Sequence, residues 1–117
     1  MPSLPPAIEL NAHLFGEGRP LLVLHDLGQT GSAAAEPLAP LAQTFRIFAP
    51  DLRGHGGSPT PPGPWSIDDF ASDVARVVSA EGGQAIVLGV GLGAATALAL
   101  ALGHPGLVSG LVLSGVS

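Results

Sequence analysis

Residues 85–102 read AIVLGVGLGAATALALAL: an apolar run, a glycine-rich turn and a run rich in Ala and Leu. Ala85–Leu88 has the continuous apolar pattern of a strand that is covered on both faces, and Leu92–Leu102 has the composition of a buried helix. A strand that passes through a tight turn into a helix is the building unit of α/β folds. This segment therefore predicts a parallel sheet with flanking helices.

The rest of the chain repeats this alternation. The apolar pattern predicts strands at Ile8–Phe15, Leu21–His25, Phe45–Ala49, Ala85–Leu88 and Val108–Leu113. A helix is predicted over Ala33–Gln43 with Ser32 as its N-cap. A second helix, ending near Ala80, begins with a capping box formed by Ser66 and Asp69. The order β-α-β-α-β-α-β indicates an α/β fold with a mostly parallel sheet.

Composition and charge exclude several classes of function. The chain has 117 residues, 46% of them hydrophobic, and a net charge of −5 with no lysine and no cysteine. The chain therefore has no basic surface that could bind nucleic acid. It has no lysine for a phosphate-binding Walker loop and no thiolate that could hold a metal ion. We expect no metal and no cofactor. Because Met1–Pro6 lacks the features of a signal peptide, we expect a cytoplasmic protein.

An uncharged segment raises the alternative of a membrane helix. Gln84–Gly103 contains no charged residue, and a bilayer-spanning helix needs about 20 apolar residues. However, glycines at 89, 91 and 93 interrupt the segment, and no Trp, Tyr or Arg flanks it as an interfacial anchor. The pattern favours a buried strand, a turn and a buried helix, so we expect no membrane association.

Three motifs follow predicted strands, at the sheet edge where α/β proteins place their sites. They are His25-Asp26-Leu27-Gly28, Asp51-Leu52-Arg53-Gly54-His55-Gly56-Gly57-Ser58 and Gly89-Val90-Gly91-Leu92-Gly93. In these motifs, and from about residue 8 to residue 117, the chain resembles the N-terminal half of an α/β-hydrolase. The resemblance implies one partial domain over residues 1–117 with a truncated three-layer architecture, and chemistry on an ester, lactone or similar acyl substrate.

The same resemblance implies roles for the third motif. In this family the strand-to-helix turn is a nucleophile elbow, G-x-S-x-G, and here Gly89 and Gly93 supply the flanking glycines. The nucleophile position is Gly91, which has no hydroxyl with which to form an acyl-enzyme. The oxyanion-hole donors would be the backbone N–H groups of Leu27 and Leu92. Asp26 stands where many members have glycine, and it would either weaken this anion site or point into solvent.

The remaining motif residues are interpreted as supports of the loops. This set comprises His25, Gly28, Asp51, Arg53, Gly54, His55, Gly56 and Ser58. We expect Arg53 and Asp51 to tie down the long loop together, and we expect Asp68, Asp69 and Asp73 to form a solvated acidic face.

Residues after the turn offer little to complete a catalytic triad. No carboxylate follows Gly91, and the only later histidine is His104, at the far end of the predicted helix. The family order of nucleophile, acid and histidine is therefore not met within these 117 residues. We expect the chain as written to be inactive in triad-type hydrolysis, and Gly91→Ser alone not to restore turnover.

Two further interpretations stay open, along with the question whether the chain is an enzyme. The chain could be a non-catalytic α/β-hydrolase-like protein that binds a small apolar ester-like ligand or a partner chain. Alternatively, Gly89–Ala94 matches the dinucleotide-binding pattern G-x-G-x-x-A, although no acidic residue follows about 20 positions later. The strand at 108–113 would form an open edge, which predicts self-association or recruitment of a complementary chain.

Overall fold

The computed structural model describes residues 8–115. The strands are β1 (Ala12–Phe15), β2 (Arg19–Leu24), β3 (Phe45–Pro50), β4 (Ala85–Val90) and β5 (Val108–Ser114). The helices are α1 (Gly31–Ala35), α2 (Ile67–Ala80) and α3 (Leu92–Gly103), with 3₁₀ segments at Glu36–Gln43 and Pro105–Leu107.

The five strands form one sheet in the order β1-β3-β2-β4-β5. β1 runs antiparallel to β3, and the other three pairings are parallel. This arrangement confirms the predicted α/β fold with a mostly parallel sheet. β2 lies between β3 and β4 in the middle of the sheet, which explains why its sequence is continuously apolar rather than alternating.

Two apolar clusters show that helices cover both faces of the sheet. Leu22 and Leu24 of β2 pack in one cluster with residues of α2 and α3, whereas Leu21 and Val23 pack in the other with Ala35 of α1. Alternate side chains of a strand point to opposite faces, so this division follows from the pleat. The sheet is therefore the middle layer of three.

The region after β2 differs from the sequence prediction. The predicted helix over Ala33–Gln43 with Ser32 as its cap is wrong: α1 begins after Thr30, whose side chain accepts the Ala33 N–H, and it ends at Ala35. The next eight residues, 36–43, form a 3₁₀ segment that contains prolines at 37 and 40. A proline in a helix interior removes an amide donor and clashes with the preceding turn, so α-helical hydrogen bonding does not continue.

The start of α2 agrees with the prediction. Ser66 accepts the Asp69 N–H, and the Asp69 carboxylate accepts the Ser66 N–H, which is the predicted capping box. The first predicted strand is shorter than expected, because the N–H and the carbonyl of Asn11 bind Ser58 and Asp51 instead of a neighbouring strand. Among residues 8–115, no helix has the length and hydropathy that crossing a bilayer requires.

Candidate active site

Gly91 forms the sharp turn between β4 and α3. Its φ of 56° and ψ of −116° lie in a region that favours glycine. The turn is also crowded on its two flanks. A Cβ at Gly93 would collide with the Leu24 carbonyl, and one at Gly89 would collide with the backbone of Gly93. The structure therefore forms the tight turn that the spacing of the three glycines suggested.

The two N–H groups that the sequence resemblance singled out point at one oxygen atom. Oδ1 of Asp26 lies 2.7 Å from the Leu27 nitrogen and 3.1 Å from the Leu92 nitrogen. We call these two N–H groups the oxyanion pair, after the role that the sequence resemblance implies for them. Leu27 follows β2 and Leu92 opens α3, so the pair is assembled from two neighbouring strand ends. Its occupant is a carboxylate of the chain itself.

The Asp26 carboxylate also fills the space above Gly91. A Cβ built on Gly91 would overlap Oδ1 of Asp26 and would lie 2.7 Å from Oδ2. Real Cβ atoms are not found so close to other heavy atoms, so a side chain at position 91 and the present Asp26 conformation exclude each other. Asp26 therefore does not point away into solvent, which was one of the two expectations from the sequence.

The hydrogen bonds favour the charged form of this carboxyl. Donation from the Leu92 N–H, and then from the Leu27 N–H, lowers the pKa of Asp26 below its ordinary value. The carboxylate also sits at the amino end of α3, where the helix dipole favours a negative charge. Asp26 is accordingly ionised at neutral pH.

Two histidines fix the loops on which the oxyanion pair is mounted. The buried His25 accepts the Leu52 N–H at Nε2 (2.9 Å), so its Nδ1–H is the group that donates to the Asp26 carbonyl at 2.7 Å. His55 accepts the Gly28 N–H at Nε2 (3.0 Å) and donates from Nδ1 to the Arg53 carbonyl. Both rings use both nitrogens on backbone groups, which supports their interpretation as loop supports.

Asp51 organises the second motif. Its carboxylate accepts the Gly31 N–H at 2.8 Å, the Gly57 N–H at 2.9 Å and the Asn11 side-chain amide at 2.9 Å. These bonds connect the start of α1, the loop after β3 and the segment before β1. The Ser58 hydroxyl donates to the Asp51 carbonyl, so Ser58 is also committed to the loop. Burial acts to raise the pKa of Asp51, but the hydrogen bonds outweigh it and lower the pKa.

Arg53 has a different partner from the one predicted. Its Nε and Nη2 atoms bind the two carboxylate oxygens of Asp73 at 2.7 and 2.9 Å, and it makes no pair with Asp51. The guanidinium also lies 5.6 Å from the ring centre of Trp65 and 6.0 Å from that of Phe70. Arg53 therefore fastens the loop to α2.

The sequence predicted that the acidic residues of α2 form one solvated face, and this prediction is wrong. Asp68 is exposed, Asp69 caps the helix, and the side chain of Asp73 is only 2% exposed. The ion pair with Arg53 makes this burial of a carboxylate tolerable. Among residues 8–115, no group of three or more His, Asp or Glu side chains is placed to hold a metal ion.

The remaining motif residues are loop glycines and a distant histidine. Gly54 has φ +76° and lies beneath the Trp65 ring, while Gly56 has φ +48° and lies against the Asp51 carboxylate. In both places a larger residue would be strained and would collide with its neighbour. His104 follows the last residue of α3, at the opposite end of the helix from Gly91.

Sequence reasoning missed the central contact of this site. The resemblance singled out the N–H groups of Leu27 and Leu92 and the glycine at 91 but left the direction of the Asp26 side chain open. One signal in the sequence could have indicated this contact. The chain departs from the family pattern at two positions, with an acid at 26 and a glycine at 91, and both lie in loops that meet at one edge of the sheet. Sequence reasoning also missed Asn11 and Asp73, which lie far along the chain from their partners.

Comparison with known proteins agrees with the fold. A family model described as alpha/beta hydrolase fold matches residues 19–117. The chain is 36% identical to a 2-(acetamidomethylene)succinate hydrolase of Mesorhizobium japonicum, over 90% of this chain and 38% of that protein. It is 38% identical to a 2-hydroxymuconate semialdehyde hydrolase of Pseudomonas putida, over 90% of this chain and 39% of that protein.

Solved structures give the same result. The chain is similar to Est816, an N-acyl homoserine lactone degrading enzyme, with a TM-score of 0.84 and 33% identity over 92% of this chain and 42% of that one. It is also similar to a thermophilic esterase of Thermogutta terrifontis, with a TM-score of 0.85 and 30% identity over 91% of this chain and 40% of that one. The chain spans 30–41% of the length of the curated relatives that it matches. Sequence, sheet order and turn geometry agree: the chain belongs to the alpha/beta hydrolase fold family.

Proposed function

We propose that this chain carries the turn and the oxyanion pair of an ester-, lactone- or acyl-hydrolase-like site, and that in this sequence the site forms no acyl-enzyme. The observation that carries the proposal is Gly91, which occupies the turn position where the family holds its nucleophile and has no side chain there. An acyl-enzyme needs an activated side-chain nucleophile at the reacting carbon.

The state of the oxyanion pair supports the same proposal. Acyl transfer needs N–H donors that are free to receive the oxygen of the tetrahedral intermediate. Here both donors are bound to Oδ1 of Asp26. A substrate carbonyl would have to displace an ionised carboxylate before it could reach them.

The residues after Gly91 in this sequence place neither the acid nor the base of a triad near the turn. Residues 92–117 contain no Asp or Glu, and their single histidine is His104. Helix α3 has 12 residues, and at 1.5 Å per residue it holds His104 about 18 Å from the turn. The activation of any nucleophile at position 91 would therefore need groups from elsewhere.

The substrate class rests on the relatives. The similar proteins include two hydrolases of small carboxylated metabolites, a lactone-degrading enzyme and an esterase. These chemistries share a carbonyl whose oxygen gains charge during the reaction, which suits a pair of backbone donors. A small ester, lactone or similar acyl compound is accordingly the ligand class that we assign to the site.

A second candidate function is binding without catalysis. It is favoured by one observation: the turn and both N–H donors are formed, but position 91 beside them carries no nucleophile. A ligand oxygen would bind these donors in place of Asp26. A dinucleotide site is less well supported, because the Gly91 N–H donates to the Ser114 carbonyl and the Leu92 N–H to Asp26. A phosphate at this turn would find both amides already engaged.

The proposal is tested with the purified chain and its Gly91→Ser variant, using p-nitrophenyl acetate and an N-acyl homoserine lactone as substrates. We expect neither protein to exceed the buffer rate, because the parent has no hydroxyl at position 91 and the serine variant still lacks an acid and a base among the residues that follow it. Binding of unreacted lactone by calorimetry would favour the second candidate. Leu92→Pro is the control variant, because it removes one N–H donor at a helix position that accepts proline. Saturable hydrolysis by the parent chain that is lost in Leu92→Pro would overturn the proposal.

A further inference from the structure

We propose that Asp26 keeps ligand oxygens off the oxyanion pair: its carboxylate is the built-in occupant of these donors, and it is sterically matched to the missing side chain at Gly91. The inference rests on the proposed function in taking the Leu27 and Leu92 N–H groups as the donors of a hydrolase-like site. It concerns which group is hydrogen-bonded to these donors, so it can be tested by binding and stability measurements that need no catalytic turnover.

The steric evidence is the overlap at position 91. A Cβ on Gly91 would collide with Oδ1 of Asp26, and the colliding atom is the one that both donors hold. Relieving the collision therefore requires breaking both hydrogen bonds. The Asp26 conformation in this structure therefore requires a residue without a side chain at position 91.

The second line of evidence is that the Asp26 backbone is fixed while its side chain borders solvent. The Asp26 N–H donates to Gln29 Oε1 at 3.1 Å, and its carbonyl accepts from His25 Nδ1 at 2.7 Å and from the Gln29 N–H at 3.0 Å. The residue is half-buried and Leu27 beside it is 73% exposed. The site can therefore open by rotation of the Asp26 side chain alone, with the loop in place.

The third line of evidence is electrostatic. An internal carboxylate on a fixed backbone is present at the donors at a high effective concentration and competes with any free ligand oxygen. Its negative charge also repels another anion from the same pair of N–H groups. Removing the Asp26 side chain should leave both donors in position, because Leu27 lies in the hydrogen-bonded loop and Leu92 in the first turn of α3.

The test follows the Leu27 and Leu92 amide resonances of the full chain by NMR while sodium acetate is added as the anion probe. In Asp26→Gly we expect both amides to shift saturably. In the parent we expect either no saturable shift or a need for at least about tenfold more acetate. Asp26→Asn keeps an oxygen that can accept from both donors but lacks the negative charge, so its acetate response should lie between those of the parent and Asp26→Gly. Asp68→Asn, which removes an exposed carboxylate elsewhere, is the matched charge control.

A second readout covers steric matching and uses unfolding in urea. Gly91→Ser should reduce the folding equilibrium constant of the parent. In the Asp26→Gly background, the factor of this reduction should be smaller by at least about tenfold. Asp26→Ala serves if Asp26→Gly does not fold, since it also lacks the carboxylate.

Two results would overturn the inference. One is an equal acetate response of the Leu27 and Leu92 amides in the parent and in the variant without the carboxylate, including no response in either. The other is an equal cost of Gly91→Ser in both backgrounds. Hydrolysis by the parent would contradict the proposed function but would not alter these amide shifts or stabilities, so the two failures are distinguishable.

Discussion

Oδ1 of Asp26 lies 3.1 Å from the backbone nitrogen of Leu92, which follows it by 66 residues in the chain. The hydrogen bond joins the loop after β2 to the first turn of α3 across two neighbouring strands. It stabilises the fold at the same place where a hydrolase of this family would hold the oxygen of its substrate. The same carboxylate therefore ties the two loops together and occupies the two N–H groups.

The ion pair between Arg53 and Asp73 should be the most costly polar contact to break. Within residues 8–115, Arg53→Met leaves the buried carboxylate of Asp73 with only Arg76, at 4.0 Å, in ion-pairing distance. We expect a loss of about 3–5 kcal/mol in the free energy of unfolding. Urea unfolding measures it. The control is Arg46→Met, which breaks an exposed pair with Glu81 and should cost less than about 1 kcal/mol. Equal losses in the two variants would refute this assignment.

The buried His25 should make the protein sensitive to mild acid. Burial lowers the pKa of His25 in the folded state, so the unfolded chain takes up a proton first. Stability is then complete above the unfolded value of about 6.5 and falls as the pH drops below it. We expect the urea midpoint to decrease from about pH 7 to about pH 5, and the decrease to be smaller in His25→Gln.

The exposed His104→Gln variant is the control for this pH dependence, and it should keep the decrease seen in the parent. A parent midpoint that does not change over this range would contradict the prediction.

Gly93 should tolerate no side chain, because a Cβ there would meet the carbonyls of Leu24 and His25 on the adjacent strand. These are backbone atoms of the central sheet and cannot move aside, so Gly93→Ala should cost more than about 2 kcal/mol in thermal or urea unfolding. Gly103→Ala is the matched control at the other end of α3, with no atom within 4 Å of its added Cβ. It should be neutral or stabilise by up to about 1 kcal/mol. Similar effects at both positions would show that the α3–β2 contact is looser than described.

The outer edge of β5 should promote association. Within residues 8–115, β5 pairs only with β4, and Leu111 and Val112 are 38% and 52% exposed. Apolar open edges pair with other chains, and a lysine on the edge opposes this. We propose that the chain self-associates here, so its mass by light scattering should rise with concentration and should rise less in Val112→Lys. Thr60→Lys adds the same charge in an exposed loop and should behave as the parent. A monomeric parent at high concentration would contradict the proposal.

The parts of the fold that were predictable from the sequence are those set by local pattern and by burial. The apolar run of β2 is buried on both faces, and that of β4 is buried on one face and partly buried on the other, so their continuous hydrophobicity identified them as inner strands. The capping box of α2 depends on two residues three positions apart and was equally readable. The segment after Ala35 was not, because two prolines changed the type of helix while leaving its apolar pattern intact.

The parts of the site that were not predictable depend on contacts between distant loops. Position in a motif identified Leu27, Gly91 and Leu92, since backbone roles follow from the turn. The direction of the Asp26 side chain depends on where α3 begins, and the partner of Arg53 depends on how α2 packs against the loop. No local pattern encodes these distances.

Acylation of the chain tests the central claim most directly: a site with Gly91 at the turn and Asp26 on both donors cannot form an acyl-enzyme. The measurement is the intact mass of the purified chain, with peptide mapping, after mixing with excess p-nitrophenyl acetate. Background labelling is low because the sequence contains no lysine. We predict no acetyl adduct beyond slow labelling of the terminal amine. A stoichiometric, rapidly formed acetyl ester within the chain, absent in Leu92→Pro, would contradict the account.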